Sequence, residues 1–180
     1  MSNVSDLTPG VWNVDPSHSI VGFTARHLMI TKVRGRFTSF TGTVTVAENP
    51  LDSKVEANVD LGSVTTGDEQ RDTHLKSADF FNIDQHPTMT FTSTGIKEAG
   101  GDYLLTGDLT VAGKTRSVDF DLSFDGVQQD PWGGTRAGFT AETEISRKDW
   151  EMTWNVALET GGVLVGDKVK IELDVELVKA

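Results

Sequence analysis

The stretch DKVKIELDVELVK, Asp167 to Lys179, decides the fold class because apolar and charged side chains alternate along its whole length. One face carries Val169, Ile171, Leu173, Val175 and Leu177. The other face carries Lys168, Lys170, Glu172, Asp174 and Glu176. A period of two with a charge at every second position indicates an antiparallel strand with one face in water and the other covered.

The same alternation recurs through most of the chain and predicts an all-β protein. The segments that show it are Val11 to Val14, Ile20 to His27, Phe37 to Val46, Lys54 to Leu61, Thr88 to Ile96, Asp102 to Ala112, Thr115 to Asp125 and Thr135 to Ser146. Short turns rich in Gly, Asn, Asp and Pro join them, which favours a meander over βαβ units. We therefore predict an extended, eight-stranded antiparallel β-barrel. Phe37 and Phe40 differ in parity, which indicates a bulge or bend between them.

One region, Ser63 to Pro87, breaks the strand pattern. Its sequence GDEQRDTHLKSADFF contains helix-forming residues, and Thr66 or Asp68 can cap a helix. We expect a short helical segment around residues 68–81, with the helix from about Asp68 to Leu75 and a further turn near Asp79 to Phe81. This connection should lie across one end of the barrel.

Composition limits the function classes. The chain has 180 residues, which fits a single domain over residues 1–180, and it has no Cys, which excludes disulfides and thiolate chemistry. Its net charge of −11 disfavours nucleic acid as a partner. No apolar run is long enough to span a membrane, so we expect no stable membrane insertion. The start MSNVSDLTPG has no signal-peptide pattern, so we expect a cytoplasmic protein.

Several motifs together resemble the YceI-like family and cover nearly the whole chain. They are WNVDPSHSIVGFTARHL, VRGRFTSFTGTV, TTGDEQRDTHLKSADFFNIDQHPTMTFTS, GDLTVAGKTRSVDFDLSF and the tail that begins ISRKDW and ends LVGDKVKIELDVEL. One departure is Glu151, because the family usually has Gly at this position, and it leaves the local turn before Trp154 in question.

The resemblance implies a lipocalin-like barrel with a long apolar tunnel. The implied ligand is a polyisoprenoid or a similar amphiphile such as an isoprenoid quinone or a fatty amide, with no cofactor and no catalysis. Many members of the family are exported to the periplasm. The implied role is storage, transport or protection of the lipid, possible in a stress response.

Residues on the inward faces are the candidates for the tunnel wall, although each one is also compatible with an ordinary core. The set is Phe23, Phe81, Met89, Phe91, Leu105, Leu109, Phe120, Phe124, Phe139 and Trp154. A slender apolar ligand needs such walls because unpaired buried polar atoms would be costly. Some members of the set should line the tunnel and the others should fill the core.

The stretch RDTHLKSADFF has two interpretations. Arg71 and His74 share a helix face and could contact the polar head group of a ligand at the tunnel mouth. In the structural interpretation, which we prefer, Arg71 pairs with Asp68 or Asp72, and the apolar residues seal the barrel.

The remaining polar residues favour structural roles. His18 should bond to the Asp15 turn, and Arg147 could pair with Asp149 or with an acidic residue of the next strand. Trp150 and Trp154 could close the end opposite the helix or form a dimer contact. The four histidines lack metal-site spacing, and there is no nucleophile elbow, which predicts neither a metal site nor an enzyme.

Three hypotheses remain open at this level. The first is a barrel that binds and carries an isoprenoid-type lipid, with or without homodimerisation. The second is an enzyme acting on such a lipid with His74 or His18 as acid–base. The third is a solidly packed interaction protein without a ligand.

Overall fold

The computed structural model describes residues 3–156, 158 and 164–180. Met1, on which the expected location depends, lies outside them. The one α-helix in this part is α1 (Glu69–Lys76). The strands are β1 (Gly10–Val14), β2 (Ile20–His27), β3 (Thr31–Phe37), β4 (Phe40–Val46), β5 (Lys54–Asp60), β6 (Val64–Thr65), β7 (Thr88–Ala99), β8 (Asp102–Val111), β9 (Lys114–Gln129), β10 (Thr135–Ser146) and β11 (Val165–Lys179).

The sheet closes on itself as an antiparallel meander of eight long strands. Pairing runs in the order β1, β4, β5, β7, β8, β9, β10, β11, and β11 returns to β1 with Trp12 opposite Lys179. The predicted eight-stranded barrel is confirmed. Closure removes every free sheet edge at this level, so the backbone groups of the barrel are paired without external partners.

The first three long strands are each interrupted by a short break. β1 and β2 form one strand broken at Pro16–His18, and both pair with β11. β3 and β4 are separated by Thr38 and Ser39, and β5 and β6 by Leu61–Ser63. The predicted bend between Phe37 and Phe40 is confirmed, and it lets both aromatic side chains face inward despite their parity.

Strand β3 was not predicted as a separate strand. Its sequence TKVRGRF alternates correctly, but the inward position Gly35 offers no apolar side chain, which hides the pattern. The ring of Phe23 occupies the space instead, because a Cβ on Gly35 would lie 2.3 Å from it. Gly107 accommodates the ring of Phe91 in the same way, at 2.4 Å. These two glycines, expected to ease bending, make room for phenylalanines on the neighbouring strands.

Helix α1 forms where the sequence predicts it. The Asp68 side chain caps the helix by accepting a hydrogen bond from the Arg71 backbone N–H at 3.1 Å, and turns continue to Phe81. Asp72 then ties the helix to the end of β6 by accepting bonds from the backbone N–H and the hydroxyl of Thr66, at 2.8 and 2.6 Å. The helix is therefore anchored to the barrel through its first turn.

Antiparallel order places alternate connections at opposite ends of the barrel. The helix end, as we call it, holds the β2–β3 turn, the segment with α1, the β8–β9 turn and the segment from Arg147 to Trp154. The other end, the N-terminal end, holds residues 3–9 and the turns after β4, β7 and β9.

Candidate functional site: an apolar cavity inside the barrel

The barrel encloses a cavity of about 210 Å³ with walls that are almost entirely apolar. Every long strand contributes to the wall. Prominent wall residues are Val14, Val21, Phe40, Val44, Val55, Val59, Met89, Phe91, Ile96, Leu105, Leu109, Phe120, Leu122, Phe139, Ala141, Ile171, Leu173 and Val175. Such a surface recognises hydrocarbon by shape and offers almost nothing to a polar group.

Six of the ten candidate tunnel residues line this cavity. They are Met89, Phe91, Leu105, Leu109, Phe120 and Phe139. Among them, the rings of Phe91 and Phe120 meet edge to face with centroids 5.5 Å apart, a favourable aromatic geometry. The wall is therefore rigid at its centre.

The other four candidates pack beside the cavity. Phe124 lies against Phe139, with ring centroids 5.1 Å apart, in a second core cluster around Trp12. Phe23 and Phe81 flank the buried ring of Phe37 at 5.6 and 5.9 Å. Trp154 lies further out, on helix α1.

The cavity is capped differently at its two ends. On the helix side, the stack of Phe23, Phe37 and Phe81 packs with the wall residues Val21 and Met89. On the N-terminal side, Val4 and the buried Leu7 form part of the wall. Leu7 belongs to the segment before β1, which crosses the barrel mouth, so a ligand longer than the cavity must displace one of these caps.

Volume sets the scale of that displacement. A cavity of about 210 Å³ exceeds the roughly 150 Å³ that holds benzene, but it is smaller than the roughly 300–1,000 Å³ usual for drug-sized ligands. It has room for about eight carbon atoms at the benzene ratio. A long chain therefore needs movement of a cap or of the wall side chains.

Arg71 and His74 lie at the helix end and make bonds within the protein. Arg71 Nε donates to the Thr66 hydroxyl at 2.7 Å, and its Nη2 donates to the Thr66 carbonyl at 2.9 Å. The expected pairing of the Arg71 side chain with Asp68 or Asp72 is wrong, because Asp68 caps the backbone and Asp72 bonds Thr66. His74 Nε2 lies 2.9 Å from Asp79 Oδ2.

The segment from Arg147 to Trp154 closes the helix end, so the expected placement at the opposite end is wrong. The ring of His74 meets that of Trp154 edge to face at 4.5 Å, and Phe80 packs against both. The α1 connection and the β10–β11 connection are separated by an even number of strands, so antiparallel order puts them at the same end.

Arg147 is a buried cation that fastens this segment. Its guanidinium donates to the carbonyls of Met152, Trp154 and Gly166 at 2.7, 2.8 and 3.0 Å, and it also reaches Asp167 on β11 at 3.7 Å. Burial lowers the pKa of Arg147, and the charge of Asp167 opposes that shift. The predicted acidic partner on the next strand exists, but the carbonyls provide the shorter contacts.

A second charged cluster joins three elements near the break between β1 and β2. Arg136 donates to Asp15, Asp130 and Glu176 at 2.8, 2.9 and 3.1 Å. Hydrogen bonds from Ser17, Arg136 and His18 hold the pKa of Asp15 well below its usual range, and Arg136 does the same for Asp130. The three carboxylates raise the pKa of Arg136. The expected bond between His18 and Asp15 is confirmed at 2.9 Å.

Some wall residues were missed in choosing the candidates. Phe40 and Val59 alternate correctly, and Ile171 and Leu173 lie on the predicted inner face of β11, so the period of two was enough to find them. Leu7 could not be found in this way, because it lies outside any strand.

Two further absences apply only to the described part of the chain. None of its helices has the length and hydropathy needed to cross a membrane. Within residues 3–156, 158 and 164–180, no group of three or more His, Asp or Glu side chains could hold a metal ion.

Together these features define a class, an antiparallel barrel closed around an apolar cavity. A family model described as a YceI-like domain matches residues 12–177. The chain belongs to the YceI-like family, as its sequence motifs indicate.

Curated relatives agree with this membership. A UPF0312 protein of Pectobacterium atrosepticum is 43% identical over 137 residues, which cover 76% of this chain and 71% of the relative. Protein YceI of Shigella flexneri is 43% identical over 136 residues, covering 75% of this chain and 71% of the relative.

Solved structures share the fold. Burkholderia cenocepacia BcnA aligns with a TM-score of 0.75 at 24% identity and covers 91% of this chain and 98% of its own. A Campylobacter jejuni YCEI protein gives 0.74 at 26% identity, over 86% and 90%. A polyisoprenoid-binding domain from Saccharophagus degradans, implicated in plant cell wall breakdown, gives 0.72 at 15% identity, over 94% and 98%.

Proposed function

We propose that the protein binds and carries a hydrophobic, isoprenoid-type lipid in its barrel without catalysing a reaction. The single observation that carries the proposal is the enclosed apolar cavity of about 210 Å³. The name of the Saccharophagus degradans domain with the same fold, which binds polyisoprenoid, supports the ligand class.

The chemistry of the wall limits what such a ligand can be. Phenylalanines and branched aliphatic side chains surround the cavity, so the buried part must be a slender hydrocarbon. A hydroxyl, phosphate or quinone oxygen would be costly to bury there without a partner. We therefore place the polar head outside the cavity, and the head-group role of Arg71 and His74 stays a prediction.

The placement of the candidate acid–base residues supports binding over catalysis. His18 and His74 do not belong to the cavity wall, and each one already faces an aspartate at 2.9 Å. A general base must lie within hydrogen-bond distance of the proton that it removes. Neither histidine meets that condition for a molecule inside the barrel.

The test is native mass spectrometry of the gently purified protein, followed by organic extraction and identification of the released molecule. Ala141→Phe should fill the cavity, because Ala141 is a buried wall residue, and the variant should lose most of the bound lipid. Thr140→Phe is the matched control, since Thr140 is the exposed neighbour on the same strand, and it should retain the lipid. An apo mass for the native protein, with no uptake of added prenyl lipid, refutes the proposal.

A second candidate function is a packed interaction protein without a ligand. The observation in its favour is the cavity volume, which is below the range of most ligand sites. This candidate predicts that Ala141→Phe raises the free energy of unfolding by filling empty space and changes no bound mass. Homodimerisation and the cytoplasmic location stay predictions, which sedimentation velocity and cell fractionation would check.

A further inference from the structure

The hairpin formed by β2 and β3 ends in an exposed apolar tip at the helix end of the barrel. Three consecutive residues form this tip, Leu28, Met29 and Ile30, with exposed fractions of 38%, 57% and 75%. Isolated apolar side chains at a surface are ordinary, but three in a row on a projecting turn form a contiguous patch.

The backbone of the tip is also strained. Leu28 and Met29 both have positive φ, 55° and 63°, and Ile30 N–H closes the turn on the His27 carbonyl at 3.1 Å. Turns of this kind favour Asn, Asp or Gly, because a side chain with a Cβ is disfavoured in the left-handed region. Apolar residues occupy these two positions and bury little surface there, so folding does not explain their presence.

The strands behind the tip carry unbalanced positive charge. Residues 16–47 contain no Asp or Glu, whereas the whole chain has a net charge of −11. The outer face of the hairpin holds Arg26, Lys32, Arg34 and Arg36. Arg26 and Lys32 lie directly opposite each other across the two strands, a repulsive arrangement.

Acidic side chains on the adjoining strands already have cationic partners of their own. Glu144 pairs with Lys168 at 3.6 Å, Glu142 and Glu172 pair with Lys170 at 3.6 Å, and Asp167 pairs with Lys148 at 3.2 Å. In the part of the chain that the structure describes, none of the four hairpin cations lies within 4.0 Å of a carboxylate. Their charge is available to an external anion.

We propose that the β2–β3 hairpin docks the protein on the surface of an anionic lipid bilayer. Leu28, Met29 and Ile30 would enter the head-group layer, while Lys32, Arg34 and their neighbours meet the lipid phosphates. An apolar tip backed by cations is the arrangement that binds such an interface, because buried apolar area and charge attraction add. The inference rests on the proposed lipid-binding function for its purpose, which is to bring the barrel to the source or destination of its lipid.

The experiment is flotation of the full chain with vesicles of phosphatidylcholine alone or mixed with phosphatidylglycerol, at low and high salt. The native protein should bind the anionic vesicles at low salt and release them at high salt. Ile30→Ser combined with Met29→Ser should lower the partition coefficient by about tenfold or more. Lys32→Gln combined with Arg34→Gln should lower it by about twenty-five-fold, at roughly fivefold for each cation.

The matched control is Trp132→Ser. Trp132 is 84% exposed, but it lies in the β9–β10 turn at the N-terminal end of the barrel. Its loss should leave vesicle binding unchanged, and melting temperatures should show that all variants fold. Arg26 is left intact in every variant because it donates to the Ile30 carbonyl at 3.2 Å and shapes the turn.

Three results would overturn the proposal: no binding of the native protein to anionic vesicles, an equal loss in Trp132→Ser, or a dimer that Ile30→Ser dissociates without any vesicle binding. Lipid retention is measured on the same samples by native mass spectrometry. Failure of the proposed function would remove the bound lipid from the native protein, whereas failure of the docking proposal would remove only vesicle binding.

Discussion

The turn at Glu151 shows how one residue can carry a local strain. Its backbone is left-handed, with φ 61° and ψ 20°, and its N–H caps the preceding 3₁₀ turn. Relatives usually have Gly here by the sequence resemblance, and the conformation explains that preference because Gly adopts it without steric cost. The departure from the family motif therefore changes an energy and leaves the fold intact.

We predict that Glu151→Gly stabilises the protein. The left-handed region costs a residue with a Cβ about 1–2 kcal/mol, and the extra chain entropy of Gly offsets roughly half of that. The net gain of about 0.5–1 kcal/mol corresponds to a rise in melting temperature of about 1–4 °C.

Glu151→Ala is the control, because it also removes the exposed ion pair with Lys114 but keeps the Cβ. Thermal unfolding checks both variants. Equal melting temperatures for the Gly and Ala variants would show that the strain has no energetic effect.

At the scale of the element, Arg136 fastens the β9–β10 hairpin to β11 and to the corner between β1 and β2. The partners Asp15 and Asp130 both have lowered pKa values in the folded state. Groups of this kind stabilise the fold fully above their unfolded pKa of about 3.9, and the contribution is lost as pH falls through the folded values. The joint should therefore weaken below about pH 4.

We predict that Asp15→Asn lowers the free energy of unfolding at pH 7 more than it does at pH 2. The native carboxylate loses its own advantage at low pH, so the two proteins should converge there. Asp174→Asn, an exposed change on β11, is the control and should have little effect at either pH. Urea unfolding at a series of pH values measures the difference, and a pH-independent cost for Asp15→Asn would contradict the prediction.

Elements were predictable from the sequence where side chains alternate in size and polarity. The full alternation of β11 fixed its inner face, and Asp68 marked the start of α1. β3 was missed because its inward position Gly35 borrows the ring of Phe23 from the neighbouring strand, a contact that no local pattern contains. The Arg147 site depends on carbonyls brought together by the fold, so the sequence could suggest a partner but not the geometry.

At the scale of the whole molecule, barrel closure and the two caps decide what can enter. Parity of the connections was available from the sequence and would have placed Trp154 at the helix end. The volume of the cavity was not, because it depends on how far each inward side chain reaches across a closed barrel. Whether a long chain binds therefore depends on the caps, of which Leu7 is the simplest to test.

We predict a chain-length series of prenyl alcohols in which affinity rises and then levels off. Each buried methylene contributes up to about 0.8 kcal/mol, so one isoprene unit should raise affinity by about tenfold or more while space remains. A cavity with room for about eight carbons should be filled near the ten-carbon alcohol. Beyond that length, the chain must displace the segment that carries Leu7, and the cost should cancel the gain.

Leu7→Ala should relieve this limit selectively. It should raise affinity for the twenty-carbon alcohol relative to the ten-carbon alcohol, because only the longer chain reaches the N-terminal cap, which includes Leu7 in the cavity wall. Val11→Ala is the control, since Val11 is 43% exposed on the next element and does not line the cavity. Calorimetric titration measures the ratio of the two affinities. An equal change for both alcohols would mean that Leu7 only stabilises the barrel, and chain length would then be limited at the helix end by the stack of Phe23, Phe37 and Phe81.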